Sequence, residues 1–312
     1  MHDFAGALNQ ALCDALSADD SVVVFRVTDG LAAAFGSHRC FDTPLCESGI
    51  VGSAVGMAMN GLRPVIEIQF DAFAYSAFEQ ITSHVAKMRN RTAGRLALPM
   101  VIRIPYGGGI GAVEHHSDSS EAYYTHTPGL LVVTPSTVAD AYSLLREAID
   151  HPDPVIFLEP KRLYWRKEDV ALPQRTGGFG QAAVRRSGTT ATLVAYGPTV
   201  DVALEAAEEG QAYGWELEVV DLRTLVPLDD KTLVRSIRRT GRAVVLHEAA
   251  GFGGYGAEIA ARLTESCFYH LEAPIRRVTG LDAPYPAPSL EQHYLPRTPR
   301  VLAAVEDVLS YA

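Results

Sequence analysis

The feature that most constrains this chain is the stretch Asp42-Thr43-Pro44-Leu45-Cys46-Glu47-Ser48-Gly49-Ile50-Val51-Gly52-Ser53-Ala54-Val55-Gly56. Pro44 disfavours helix at Thr43, so the chain arrives extended and turns into a helix near Glu47, whose charge suits the positive end of the helix dipole. Gly49, Gly52 and Gly56 would let another backbone pack closely against that helix. Glycine costs about 1 kcal/mol relative to alanine inside a helix, so three of them imply a contact that outweighs propensity. Such a segment is either an ordinary buried helix with an acid at its start or a device that delivers one carboxylate to a site. Taken alone, it does not choose between the two.

Elsewhere, short apolar runs bounded by turn residues alternate with helical patterns, the order expected of parallel sheets with crossover helices. Strands are predicted at Val22 to Phe25, Val65 to Gln69, Met100 to Ile104, Leu131 to Thr134 and Val155 to Glu159. Helices are predicted at Phe4 to Leu16, Ile50 to Asn60, Ala74 to Met88 and Val138 to Asp150. A polar, glycine-containing stretch from Lys167 to Gly188 interrupts the pattern. Beyond it come strands Ala191 to Ala195, Glu216 to Asp221 and Ala243 to His247, with helices Val200 to Tyr213, Asp229 to Thr240 and Tyr255 to Ser266. The expected fold is α/β: two doubly wound domains, 1–170 and 189–312, joined by a linker over 171–188.

The 312 residues suit two domains. The formal charge of -10 comes from dispersed acids, and basic residues cluster only at Arg235 to Arg242 and Lys161 to Lys167, which argues against nucleic-acid binding. Cys13, Cys40, Cys46 and Cys267 have neither metal-ligand spacing nor a secreted disulfide pattern, so a reducing compartment is expected. No apolar run approaches the roughly 20 residues of a membrane helix, and the first residues show no basic segment leading into an apolar one. The expectation is a cytoplasmic protein without membrane contact.

Further strings follow in order: Glu67-Ile68-Gln69-Phe70-Asp71-Ala72-Phe73, Arg103-Ile104-Pro105-Tyr106-Gly107-Gly108-Gly109, Glu114-His115-His116-Ser117-Asp118-Ser119-Ser120-Glu121, Leu158-Glu159-Pro160-Lys161-Arg162-Leu163-Tyr164-Trp165, Asp221-Leu222-Arg223-Thr224-Leu225-Val226-Pro227 and His247-Glu248-Ala249. Together with the Glu47 helix they resemble the β subunit of the thiamine-diphosphate-dependent E1 component of 2-oxoacid dehydrogenase complexes, especially the branched-chain type, along nearly the whole chain. The resemblance implies a pyrimidine-binding domain followed by a transketolase C-terminal-type domain, and an oxidoreductase active only with an α subunit.

The same resemblance assigns roles. Glu47 would hydrogen-bond N1′ of the cofactor's aminopyrimidine, assistance to proton transfer of a kind that contributes about 10² to 10⁴ in rate. Gln69 and Phe73, at the end of a predicted strand where open α/β sheets bind ligands, would meet the pyrimidine; relatives typically carry tyrosine at the Phe73 position. Phe70 is read as core. His116 would serve the reacting carbon and acyl transfer, with His115 a packing neighbour, Arg103, Tyr106 and the glycines shaping the loop, and Glu121, Tyr124 and His126 structural. A structural K⁺ is implied through positions matching Met100, Ala148 and Asp153, although His151 and Asp153 replace the usual residues there. The chain contains no Gly-Asp-Gly, so Mg²⁺ and diphosphate would be held by the E1 α subunit of an α2β2 heterotetramer, which passes acyl groups from a 2-oxoacid to a lipoylated E2 acyltransferase.

One departure stands out. Relatives have a glycine-rich loop containing Gly-Glu-Asp after the first strand, whereas here Val22-Val23-Val24-Phe25 runs straight into Arg26-Val27-Thr28-Asp29-Gly30-Leu31. The leading reading is a branched-chain 2-oxoacid dehydrogenase E1 β subunit of branched-chain amino acid catabolism, performing oxidative decarboxylation with transfer to lipoyl-E2. The alternatives are a pyruvate or acetoin dehydrogenase E1 β subunit, a non-catalytic assembly subunit owing to the missing loop, and a split transketolase half.

Overall fold

In the computed structural model, which describes residues 1–25, 29–173 and 175–311, the chain divides into two compact units. One comprises Met1–Tyr106 and Tyr123–Phe179, the other Gly107–Ala122 and Gly180–Ala312. The stretch Gly107–Ala122 therefore lies within the first unit in sequence but packs with the second, an excursion that no periodicity announces. Arg26 to Thr28, where the shortened loop falls, lie outside the described residues.

The first unit carries strands β1 (Val22–Phe25), β2 (Cys40–Phe41), β3 (Arg63–Glu67), β4 (Val101–Tyr106), β5 (Leu131–Val133) and β6 (Val155–Pro160). They run in the order β5-β6-β4-β3-β1-β2, and every neighbouring pair is parallel. β4 and β6 are buried along their whole lengths, as parallel strands covered on both faces must be. Helices α1 (Phe4–Ala18), α2 (Glu47–Met59) and α3 (Val138–Asp150) accompany the sheet. α1 and α3 pack together and share a core of Phe4, Leu8, Leu12, Leu144, Leu145 and Ile149. Thr137 starts α3 by accepting the Asp140 amide at 3.1 Å, which satisfies one of the free donors of the first turn.

The stretch expected as one helix over Ala74 to Met88 is broken into a 3₁₀ segment Asp71–Ala77, a π turn Gln80–Val85 and a short α turn Met88–Arg91. In the first piece the buried residues are Asp71, Ala74 and Ala77. They recur every third residue, the period of a 3₁₀ helix rather than an α-helix.

The second unit has strands β7 (Ala183–Arg186), β8 (Ala191–Ala195), β9 (Leu217–Asp221), β10 (Ala243–Ala250) and β11 (Arg276–Gly280) in the order β11-β10-β8-β9-β7. All pairs are parallel except β7, which is antiparallel on β9. β7 lies inside the stretch expected as a linker; its residues are half-exposed at the sheet edge, so no apolar run marked it. Helices α4 (Thr199–Glu209), α5 (Asp230–Thr240), α6 (Tyr255–Cys267) and α7 (Thr298–Leu309) complete the unit. β11 and α7 extend beyond the expected elements, which ended at Ser266, and α7 buries Val301, Val305 and Val308 in the core. Among the described residues no helix is long and apolar enough to cross a membrane.

Candidate active site

Glu47 is the first residue of α2 and only 9% exposed, so its carboxylate is held at the first turn, where the helix dipole favours negative charge. α2 packs against the 3₁₀ segment Asp71–Ala77. From that segment Ser76 places its Oγ 3.5 Å from Glu47 Oε2 and 3.0 Å from the carbonyl oxygen of Phe73. One hydroxyl thus lies between the acid and the Phe73 carbonyl, and its single proton serves one of these acceptors at a time, the carbonyl being the nearer. The half-buried Phe73 ring stands edge-on to Phe70, with centroids 5.6 Å apart and planes at 87°. Phe70 in turn lies under Lys161 Nζ at 5.5 Å. Gln69 is exposed just past the end of β3. The first unit therefore gathers Glu47 and Phe73 on two packed segments, with Gln69 leading into the second. Ser76 escaped the sequence reading because a serine inside a presumed α-helix carries no signal.

The glycines of α2 behave differently from expectation. Gly52 and Gly56 are exposed, and a Cβ built at either meets nothing within 4 Å; at Gly49 the nearest atom is Cys46 Sγ at 3.3 Å. Among the described residues, no other segment of this chain makes the close backbone approach expected there.

Three of the quoted strings converge on one ion cluster. Arg103 on β4 pairs with Glu67 on β3 at 3.0 Å and with Glu159 on β6 through bonds of 2.6 and 3.1 Å. Tyr164 donates its hydroxyl to Glu159 Oε2 at 2.7 Å. Burial by itself would lower Arg103, but the charges of Glu159 and then Glu67 outweigh it and hold the guanidinium above its ordinary value. Burial, followed by the charge of Glu159, pushes the Tyr164 hydroxyl up. Tyr106 meets Thr134 Oγ1 at 2.9 Å. Arg103 and Tyr106, expected to shape the glycine loop, thus place polar contacts within the first unit.

His116 belongs to the excursion into the second unit. It closes the 3₁₀ turn Glu114–His116, is half-buried, and stacks on the exposed His115 with centroids 5.8 Å apart and planes at 19°. Glu114 lies 3.4 Å from His115 Nδ1. Upstream, Gly107, Gly109 and Gly111 take φ of 79°, 82° and 68°, a left-handed conformation open to glycine. The Gly107 amide donates to the Asp118 carbonyl at 2.8 Å and closes the excursion on itself. At its far end the buried Glu121 accepts the Tyr196 hydroxyl at 2.7 Å, and the Tyr196 ring stacks on His247 at 6.1 Å and 12°. Burial pushes Glu121 up to about 7 despite that hydrogen bond. It pushes His247 down to about 4.

The Met100 carbonyl accepts the Val155 amide at 3.0 Å and the Ala148 carbonyl accepts the His151 amide at 3.3 Å, while Asp153 is ion-paired with Arg89. A cation already meets the carboxylate. Among the described residues no group of 3 or more His, Cys, Asp or Glu side chains is placed to hold a metal ion.

Comparison with known proteins places these elements in context. Residues 5–166 match the family described as "Transketolase, pyrimidine binding domain", and residues 180–301 match "Transketolase, C-terminal domain". The chain is 54% identical over 315 residues to "3-methyl-2-oxobutanoate dehydrogenase subunit beta" of Mycobacterium tuberculosis (strain CDC 1551 / Oshkosh), covering 97% of this chain and 90% of the relative. It is 50% identical over 316 residues to "Pyruvate dehydrogenase E1 component subunit beta" of Leifsonia xyli subsp. xyli (strain CTCB07), covering 98% and 94%. Both alignments are longer than the chain's 312 residues, so these relatives carry residues that it lacks. Among solved structures it is similar to "Split gene transketolase, inactive beta4 tetramer", with a TM-score of 0.81, 25% identity and coverage of 98% and 97%.

Proposed function

We propose, from the premise that the chain belongs to the family of β subunits of 2-oxoacid dehydrogenase E1 components, that its substrate is a branched-chain 2-oxoacid. Its working partners in this reading are an E1 α subunit, in an α2β2 assembly, and a lipoylated E2 acyltransferase. The substrate class is supported by the 54% identical relative named for 3-methyl-2-oxobutanoate. The exposed Gly52 and Gly56 face of α2 supports close packing by the α partner.

Glu47 is the observation that carries the reading. A buried carboxylate at a helix N-terminus, on a segment packed against one that carries a half-buried phenylalanine, suits a flat heteroaromatic base with one protonatable ring nitrogen. Thiamine diphosphate, when bound, supplies the nucleophilic carbon and the electron sink for decarboxylation. Glu47 would hold the aminopyrimidine at N1′, Phe73 would offer the ring an apolar surface, and Gln69 a polar contact at its edge. His116 would give and take a proton at the acyl group, as imidazoles do near neutral pH, and steer it towards the lipoyl arm. Magnesium and diphosphate ligands fall to the α subunit, since this chain has no Gly-Asp-Gly.

The test is co-expression with an α subunit, followed by measurement of C2 proton exchange in bound thiamine diphosphate and of turnover on 3-methyl-2-oxobutanoate, pyruvate and acetoin. Glu47→Gln should assemble normally and slow exchange by about 100-fold. Wild-type exchange in that variant would remove the assignment. Higher kcat/KM for pyruvate than for 3-methyl-2-oxobutanoate would replace the branched-chain reading with the pyruvate one that the 50% identical relative favours. Normal exchange without turnover on any acid would indicate a non-catalytic assembly role.

A further inference from the structure

The excursion that carries His116 is fastened to the second unit by two buried carboxylates from residues far along the chain. Glu248, on β10, is 2% exposed, and Glu291, which opens the short helix Glu291–Tyr294, is 6% exposed. Glu248 Oε1 accepts the Gly108 amide. Glu291 Oε1 accepts three donors: the Gly109 amide at 2.9 Å, the Gly111 amide at 3.3 Å and the Tyr285 hydroxyl at 2.7 Å. That hydroxyl also receives the Gly109 amide at 3.1 Å.

The alternating backbone of this loop is what makes the arrangement possible. Gly107, Gly109 and Gly111 are left-handed, and left-handed residues alternating with ordinary ones turn successive amides towards one side, the concave anion site that proteins build from backbone alone. Here the anions are the protein's own side chains. The fit leaves no room for a side chain at Gly108, whose Cβ would fall 1.8 Å from the Tyr285 oxygen, and at Gly107 it would lie 3.1 Å from Glu248 Oε1.

Burying two carboxylates costs desolvation that an apolar anchor would avoid. What charge-assisted bonds to fixed amides give instead is short, directional constraint. We propose that Glu248 and Glu291, with Tyr285 as the bridge, are positioning residues that lock the Gly107–Gly111 backbone and thereby set where His116 stands for acyl transfer. The catalytic part of this proposal rests on the His116 role above.

The experiment compares wild type, Glu248→Gln, Glu291→Gln, Tyr285→Phe and His116→Ala, each assembled with the α subunit. Three quantities are read: amide hydrogen exchange of peptides covering 107–116, C2 proton exchange in bound cofactor, and single-turnover acyl transfer to a lipoylated E2 domain. The two glutamine variants should exchange the 107–111 amides about tenfold faster and lose acyl transfer by about tenfold, with C2 exchange and the KM for the 2-oxoacid within about twofold of wild type. Tyr285→Phe keeps both carboxylates and should show the same pattern more weakly, so it serves if either glutamine variant fails to assemble.

General destabilisation would lower C2 exchange together with acyl transfer, and that result overturns the proposal. So does unchanged amide exchange in both glutamine variants, or faster amide exchange with normal acyl transfer. If His116→Ala itself transfers acyl groups at the wild-type rate, the His116 role falls and the catalytic half of the proposal falls with it. The amide-exchange arm still decides on its own whether the carboxylates hold the loop.

Discussion

In the first unit the buried Arg103 sits between the partly exposed Glu67 and the buried Glu159, and each carboxylate faces the same guanidinium. In the second unit Glu121 and His247, linked through Tyr196, are buried with no countercharge at bonding distance among the described residues, and burial drives each towards its neutral form. The sequence distance between partners shows why. Glu67, Arg103 and Glu159 stand on neighbouring parallel strands whose register is fixed by backbone bonding. Opposite charges are thus delivered to one place by the sheet itself. Glu121 reaches its cluster from an irregular excursion, where a neutral hydrogen bond asks less of the geometry than an ion pair does.

The largest test of this contrast is Arg103→Met. It removes the guanidinium that Glu67 and Glu159 share, and breaking a buried pair on one side costs about 3–5 kcal/mol. Chemical denaturation of the assembled protein should register that loss, and a cost below about 1 kcal/mol would mean the charges are not needed.

Glu121→Gln should have a smaller, pH-dependent effect. The unfolded carboxyl releases its proton near its ordinary value of 4.5, whereas the folded one keeps it until about 7. The unfolded state therefore binds fewer protons in that window, and this group's stabilisation, full below pH 4.5, is lost as pH rises through 7. The stability difference between wild type and Glu121→Gln should shift by about 3 kcal/mol, against wild type, between pH 4.5 and pH 7. His247 acts in the opposite sense: its stabilisation is present above 6.5 and lost as pH falls through about 4. The two opposing slopes overlap, so Glu121→Gln should expose a rise of stability with pH that wild type conceals. A difference independent of pH would show that burial does not raise Glu121 above its ordinary value.

The smallest expected effect is at Tyr164→Phe. It removes one donor from Glu159 while Arg103 still holds the charge, so about 1.5 kcal/mol should be lost, read from the same denaturation curves. A loss as large as that of Arg103→Met would mean that the hydroxyl matters to the cluster as much as the guanidinium does.

What could be read in advance follows the same division between local and distant. Helix Val138–Asp150 matches the expectation from end to end because its cap, apolar face and length are all written within 14 residues from Thr137 to Asp150. Strand Ala191–Ala195 was legible for the same reason. α7 carried a readable signal too, with Pro299 in its first turn and Val301, Val305 and Val308 at helical spacing. Edge strand β11, with only Val278 and Gly280 buried, offered no apolar run. At the candidate site, Glu47 and His116 were named through resemblance, and Ser76 only emerged once a 3₁₀ segment turned it towards α2. Glu248 and Glu291 lie 140 and 182 residues from the amides they accept. No window of local pattern spans that distance.

That separation also has a temporal meaning. The ribosome emits Gly107–Ala122 well before the codons for Glu248 and Glu291 are read, and at about 5–20 residues per second the interval to the second carboxylate is on the order of ten seconds or more. Until then a nascent chain can settle the strands around Arg103 while its histidine loop lacks one or both of these carboxylates. A polypeptide cut short before Glu291 would never gain the second carboxylate. The loop is therefore fastened by both carboxylates only on a chain that has been translated almost to its end.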